Sequence, residues 1–343
     1  MLRSLARSFL ISRFRRILSA ALSVVVALSL AGGLSVVSAA PQAAAAGSLT
    51  QVTGFGSNPG NLAMYSYVPS GLASGAPLVV ALHGCTQSAS DYFSHSGWPK
   101  YADQWGFAMV FPQQSTSNNA QSCFNWFVPS SSDRGQGEAA SIMQMVQHAE
   151  KTYGLNPRRV YVTGLSAGGA MTANLLADYP DVFAAGAVDS GIPAKCATTL
   201  VEAYSCMTSD QNKTPAQWGA LVRNSYSGYS GPWPRVAIWQ GSADTTVFPV
   251  NATELRDQWT HVWGISQTPS NTQTLTRGTT ETGYNDSRGK PVVEVYSISG
   301  MGHGLAVHPG SGGDQCGTTG TFYLDYICSS YYTALFWGLN SGE

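Results

Sequence analysis

Between residues 77 and 188 the chain alternates short, uninterrupted apolar runs with longer stretches of helical period, a pattern that few architectures accept. Residues 77–83 and 106–111 are turn-bounded and carry no charged residue, as strands covered on both faces must. Residues 137–153 read as a helix with Ile142, Met145, Val146 and Ala149 on one stripe. A strand at 159–163 and a helix at 166–179, closed by Pro180, follow directly. Further strands are expected at 183–188, 235–240 and 292–298, and further helices at 251–263 and 329–339. Strand and helix in regular succession predict an α/β protein with a mostly parallel central sheet flanked by helices.

Two stretches break the pattern. Residues 195–234 are rich in Ser, Tyr, Gly and Thr with weak periodicity, and are expected to form a small cap or loop excursion over the site. Residues 266–290 are expected to form a polar hairpin or loop.

The N-terminus follows a different logic. Arg3, Arg7, Arg13, Arg15 and Arg16 precede an uncharged apolar run over 17–37, and small residues follow. Basic region, apolar run and small-residue end are the layout of a secretory signal peptide, favoured here over an uncleaved anchor. Residues 1–40 are assigned to it, with cleavage within 39–46, and residues 47–343 to a single α/β domain. A secreted, monomeric protein is expected, with no stable membrane association once the signal is removed. Only 11% of the residues are charged, and 18 basic residues stand against 19 acidic ones. Loss of the five N-terminal Arg leaves a mildly acidic chain without a Lys/Arg run, which excludes nucleic-acid binding as its business.

All six cysteines lie beyond the signal, an even number suited to an oxidising compartment. Short loop closures favour Cys196–Cys206 and Cys316–Cys328, and elimination leaves Cys85–Cys123. No C-x-x-C occurs and no His stands at a zinc-like spacing from a Cys pair, so no metal is expected.

Gly164-Leu165-Ser166-Ala167-Gly168 is a G-x-S-x-G sequence. The bare motif says little; its position, directly after a predicted strand and before a predicted helix, says more. Small residues at 164 and 168 allow a tight turn that holds Ser166 exposed, and the helix N-terminus behind it suits an incoming oxyanion. A serine hydroxyl needs a base, and the base needs an orienting carboxylate. In the α/β-hydrolase fold the chain order is nucleophile, acid, histidine. Asp244 follows the strand at 235–240, and His303 follows the last strand, so Ser166, Asp244 and His303 fit in order and context. His308 is a second candidate base, and Asp189, Asp286 and Asp314 are alternative acids; His148 and His261 fall on helices and read as surface or packing residues. For the oxyanion, the Ala167 amide needs a companion. The Cys85 amide, after Gly84 in the loop that ends the first predicted strand, has the right place, with His83 as a structural support. A Cys85–Cys123 bridge would pin that donor.

Taken together, LHGCTQ (82–87), CFNWF (123–127), GLSAGGAMT (164–172), IWQGSADTTV (238–247) and GMGHG (300–304) resemble the poly(3-hydroxybutyrate) depolymerase family of secreted esterases, which includes feruloyl and acetyl xylan esterases. The resemblance covers nearly all of the chain after the signal. It implies an α/β-hydrolase fold, a Ser166–Asp244–His303 triad, an oxyanion hole from the Cys85 and Ala167 amides, and hydrolysis of carboxylic esters through an acyl-enzyme without any cofactor. Its substrates would be a polyester, an oligoester or a plant-wall ester. Trp126 in CFNWF would contact substrate; the residue pattern by itself equally describes a core aromatic. Two departures stand out. Leu305-Ala306-Val307 follows the histidine where many relatives have Trp-Pro, and no linker or polymer-binding module is read in the chain, which shifts the expectation toward soluble oligomers or plant-wall esters. A catalytically inactive polymer-binding protein is the rival class, against which the complete triad argues.

Overall fold

The computed structural model describes residues 47–341; the expected signal segment lies outside them. Twelve strands occur among these residues: β1 (Thr50–Val52), β2 (Ala63–Tyr67), β3 (Leu78–Leu82), β4 (Ala108–Gln113), β5 (Val160–Leu165), β6 (Phe183–Asp189), β7 (Arg235–Gly241), β8 (Asn271–Thr274), β9 (Thr279–Asn285), β10 (Pro291–Ile298), β11 (Leu305–Val307) and β12 (Tyr323–Asp325). The helices are α1 (Ala89–His95), α2 (Trp98–Trp105), α3 (Pro129–Ser132), α4 (Gly137–Tyr153), α5 (Ala167–Asp178), α6 (Leu200–Thr208), α7 (Pro215–Ser225), α8 (Val250–Trp263) and α9 (Ser329–Trp337).

Ten strands form one sheet in the order β1-β2-β4-β3-β5-β6-β7-β10-β9-β8. The six from β4 to β10 run parallel, while β1 and β2 at one edge and β9 and β8 at the other are antiparallel additions. The parallel strands read as continuous apolar runs because both faces are covered. Along β3, Leu78, Val80 and Leu82 enter the core beneath α4 and α5, and Val79 and Ala81 enter the core on the α1, α2 and α9 side. Helix α5 is buried at all of its positions, so it presents no face to solvent, and its Asn174 and Asp178 find partners inside the protein.

The structure refines two expectations. Residues 195–234 are not one loose excursion: they hold α6 and α7, and α7 packs into the helix layer against α8 through the buried Trp218 and Val222. Residues 266–290 do form a hairpin, β8–β9, and it extends the main sheet because β9 pairs with β10. No helix among the described residues is long and apolar enough to cross a membrane.

Candidate active site

Ser166 sits between the last residue of β5 and the first of α5 with φ 59° and ψ −118°, a conformation costly for a side chain with a Cβ. The surroundings hold it there. Its amide donates to the Asp189 carbonyl at the end of β6 (2.9 Å), and its carbonyl accepts the Ala170 amide (2.9 Å). Strand and helix meet so closely behind it that a Cβ on Gly164 would run into the Gly168 backbone, and one on Gly168 into the Leu82 carbonyl. Two glycines, in effect, aim the serine.

The other two members come from the carboxyl ends of β7 and β10. Gly241 lets the two loops touch, since a Cβ there would collide with the Met301 carbonyl. Ser242 and Ala243 amides donate to the Ile298 and Met301 carbonyls (both 2.9 Å), and Ser242 Oγ accepts the Gly300 amide (2.9 Å). The result is a chain of hydrogen bonds: His303 Nε2 lies 2.9 Å from Ser166 Oγ, and His303 Nδ1 lies 2.8 Å from Asp244 Oδ2. The buried carboxylate at Nδ1 fixes the tautomer with the proton on that nitrogen, leaving Nε2 free to accept from Ser166. Burial works to raise the Asp244 pKa, but the His303 ring and the Val247 and Thr246 amides outweigh it, and the group settles below the ordinary carboxylate value. Its Oδ1 accepts both of those amides at 2.9 Å.

The rival residues are engaged elsewhere. His308 faces Arg277, Gln315 and Asp325 rather than Ser166. His261 lies against Arg223, and His148 sits half-buried on α4. Asp189 is buried with Thr163 Oγ1 donating to it, and its carboxyl is pushed up to about 7 by desolvation. Asp286 organises its own turn by accepting the Arg288 and Lys290 amides, and Asp314 is exposed.

The oxyanion candidates also converge. Cys85 and Ala167 line the same cavity as Ser166, and neither amide has a hydrogen-bond partner among the described residues. Behind Cys85 the loop is braced at three points. The Gly84 amide donates to Gln87 Oε1 (2.7 Å), the Thr86 amide donates to the Gln121 carbonyl (2.6 Å), and the Cys85–Cys123 disulfide closes the gap between them. His83 accepts the Gln114 amide at Nε2 (3.0 Å), so its Nδ1 proton is directed to the Gly84 carbonyl (2.7 Å). Burial lowers its pKa to about 4, so it stays neutral and structural. The other two disulfides are Cys196–Cys206 and Cys316–Cys328.

The cavity at Ser166 measures about 350 Å³, and its walls are mostly apolar: Trp126, Phe127, Ile192, Leu200, Met207 and Val247 among them. Trp126 is at once a core residue and part of the cavity lining. It is only 5% exposed and belongs to the core, its carbonyl accepting Asn174 Nδ2 (2.8 Å), yet its surface forms part of the cavity wall. Sequence reasoning missed Leu200, Tyr204 and Met207, which α6 brings to the cavity, and Gln87, whose role depends on a loop geometry no pattern announces. A larger cleft of about 700 Å³, lined by Arg159, Glu294 and Tyr296, contains none of these residues; volume alone does not mark the site.

A mostly parallel sheet carrying a serine on a strand–helix elbow, with acid and histidine loops at the carboxyl ends of later strands, is an α/β-hydrolase of the esterase type. The model of the family described as Esterase PHB depolymerase matches residues 62–281, which include Ser166 and Asp244 and stop short of His303. Poly(3-hydroxyalkanoate) depolymerase C of Paucimonas lemoignei is 52% identical over 292 residues, 85% of this chain and 70% of that protein. Feruloyl esterase B of Talaromyces stipitatus is 38% identical over 75% of this chain and 72% of its own. The solved acetyl xylan esterase from Aspergillus awamori superposes with a TM-score of 0.69 at 35% identity, covering 75% of this chain and 94% of the other. The chain belongs to the esterase PHB depolymerase family and is a carboxylic ester hydrolase.

Proposed function

We propose that this protein is a secreted serine esterase that cleaves poly(3-hydroxybutyrate)-type polyester or its oligomers through an acyl-enzyme. Ser166 Oγ attacks the ester carbonyl while His303 Nε2 takes its proton; Asp244 holds the imidazole and stabilises its charge. The Cys85 and Ala167 amides receive the developing oxyanion. His303 then gives the proton to the leaving alcohol, and water repeats the sequence to free the acid. The observation that carries the reading is the unbroken Asp244–His303–Ser166 hydrogen-bond chain, whose serine lines a mostly apolar cavity. The 52% identity to a named polyhydroxyalkanoate depolymerase supports the substrate class, and three disulfides support export to an oxidising compartment, with residues 1–40 as signal and 47–343 as one catalytic domain. Trp126, on this reading, packs against the acyl group.

A second reading, feruloyl or acetyl ester hydrolysis on plant-wall material, draws on the likeness to an acetyl xylan esterase structure. Pocket shape decides acyl preference. Side-by-side incubation with hydroxybutyrate oligomers and methyl ferulate separates the two: the proposal requires faster release from the oligomers, and preference for the ferulate would replace it with the second reading.

A further inference from the structure

We propose that the outward face of α6 is a docking surface for solid aliphatic polyester, one that holds the enzyme on the polymer and leads its chains into the catalytic cavity; the choice of polyester rests on the function proposed above. The large apolar side chains left exposed among the described residues gather in one place: Leu200 (55%), Val201 (80%), Tyr204 (60%) and Phe248 (38%). The first three lie on α6, and Phe248 is fastened to it by its amide, which donates to the Met207 carbonyl (2.7 Å). Ala203 and Cys206 occupy the buried side of the same helix, while Leu200, Val201 and Tyr204 stand outward beside the exposed Glu202, Ser205 and Thr208, so its apolar residues are not confined to one inward stripe. Concentrated exposure of this kind marks a binding surface.

Continuity with the catalytic cavity identifies the occupant. Leu200, Tyr204 and Met207 fall on one ridge at i, i+4 and i+7, and all three also line the cavity at Ser166. The exposed face is thus the outer continuation of the cavity wall, with Val201 beyond the rim. Its chemistry narrows the choice further. Glu202 is the one charged residue of α6, and its carboxylate turns back to accept the Thr198 amide and hydroxyl (2.7 and 2.8 Å). No Lys or Arg on the helix serves an anionic bilayer. Ser205 and Thr208 are also exposed on α6, but their hydroxyls bond within the chain, to Ser209 or Gln211 and to the Tyr204 carbonyl. The rest is uncharged hydrocarbon with a phenol that can donate to ester carbonyls, a match for an uncharged polymer whose surface is alkyl groups and esters. The Cys196–Cys206 bridge and the Thr199 N-cap hold the helix as a rigid platform, so little ordering is needed on contact.

Adsorption isotherms in a Ser166→Ala background, which prevents erosion of the surface, provide the test. The substrates are amorphous poly(3-hydroxybutyrate) film, a xylan-coated surface and phosphatidylcholine vesicles. Val201→Asp is expected to weaken film binding about tenfold and Val201→Leu to preserve it, since burying a carboxylate against polymer is costly where a methyl group is not. Val201→Asp with Ser166 intact should keep turnover of soluble nitrophenyl acetate within about twofold, as exposed substitutions remote from the reacting atoms do. Film binding by Val201→Asp equal to the parent's would overturn the proposal, and so would vesicle or xylan binding as strong as film binding. Failure of the proposed function would appear elsewhere, as absent turnover of soluble hydroxybutyrate oligomers, and is not confused with failure to adsorb.

Discussion

At the residue scale, catalysis is expected to depend on groups that act as a unit. Ser166→Ala should remove both the burst and steady turnover of a nitrophenyl ester, and Asp244→Asn should lower kcat by about 10⁴-fold with little change in KM, by presenting the wrong imidazole tautomer. A kcat for Asp244→Asn within tenfold of the parent's would remove Asp244 from its role. Gly164→Ala tests the elbow rather than the chemistry. Its methyl group would strike the Gly168 backbone, and soluble expression or the melting temperature should collapse, with several kcal/mol lost. These residues were legible in the sequence because each stands in a short-range context: Ser166 between strand and helix, Asp244 and His303 just past strand ends. Spacing alone separates His303 from His308 only weakly, and what brings His303 rather than His308 to Ser166 is tertiary. The Gly241 close approach and the Ser242–Gly300 contact join two loops nearly 60 residues apart.

At the scale of elements, the loop after β3 is preorganised by its tie to residue 123. Replacing Cys85 and Cys123 together by Ser should cost roughly 2–5 kcal/mol of stability. It should also lower kcat more than it raises KM, because the Cys85 amide loses its fixed position; denaturant melts and steady-state kinetics would report the two effects separately. An unchanged kcat would show that the bridge serves stability alone. The long buried strands and α4 were readable in advance because periodicity and burial agree there. Helices α6 and α7 were not: the first exposes large apolar side chains as well as burying small ones, and the second lies in a Ser- and Tyr-rich stretch. A signal did exist for α7. Thr214-Pro215-Ala216-Gln217 forms a capping box with Pro at the first turn, and both reciprocal hydrogen bonds are present. Nothing comparable marks β1 and β2, whose place at the antiparallel edge is set by partners far along the chain.

At the scale of the whole molecule, several carboxyl groups are buried without a full counter-charge. Desolvation pushes Glu294 up to about 7, the Tyr296 hydroxyl opposing it and the neighbouring Glu281 adding to it, and Asp189 reaches about 7 for the same reason. Each binds its proton more tightly folded than unfolded. Stability should therefore fall as pH rises from the ordinary carboxylate range toward 7, where the unfolded chain ionises and the native one does not, and level off above it. Glu294→Gln should flatten part of that slope, by at most about 3 kcal/mol between pH 5 and 8, in denaturant titrations at fixed ionic strength. A slope identical to the parent's would mean that Glu294 is already ionised in the native state.

Catalysis is expected to rest on Ser166 and His303, 2.9 Å apart, acting as one activated nucleophile. Labelling with a fluorophosphonate followed by peptide mass mapping tests it most directly. A single stoichiometric adduct on Ser166 is expected, with the labelling rate reduced at least ~100-fold in His303→Ala. An adduct on another residue, or labelling of Ser166 at the parental rate without the imidazole, would contradict it.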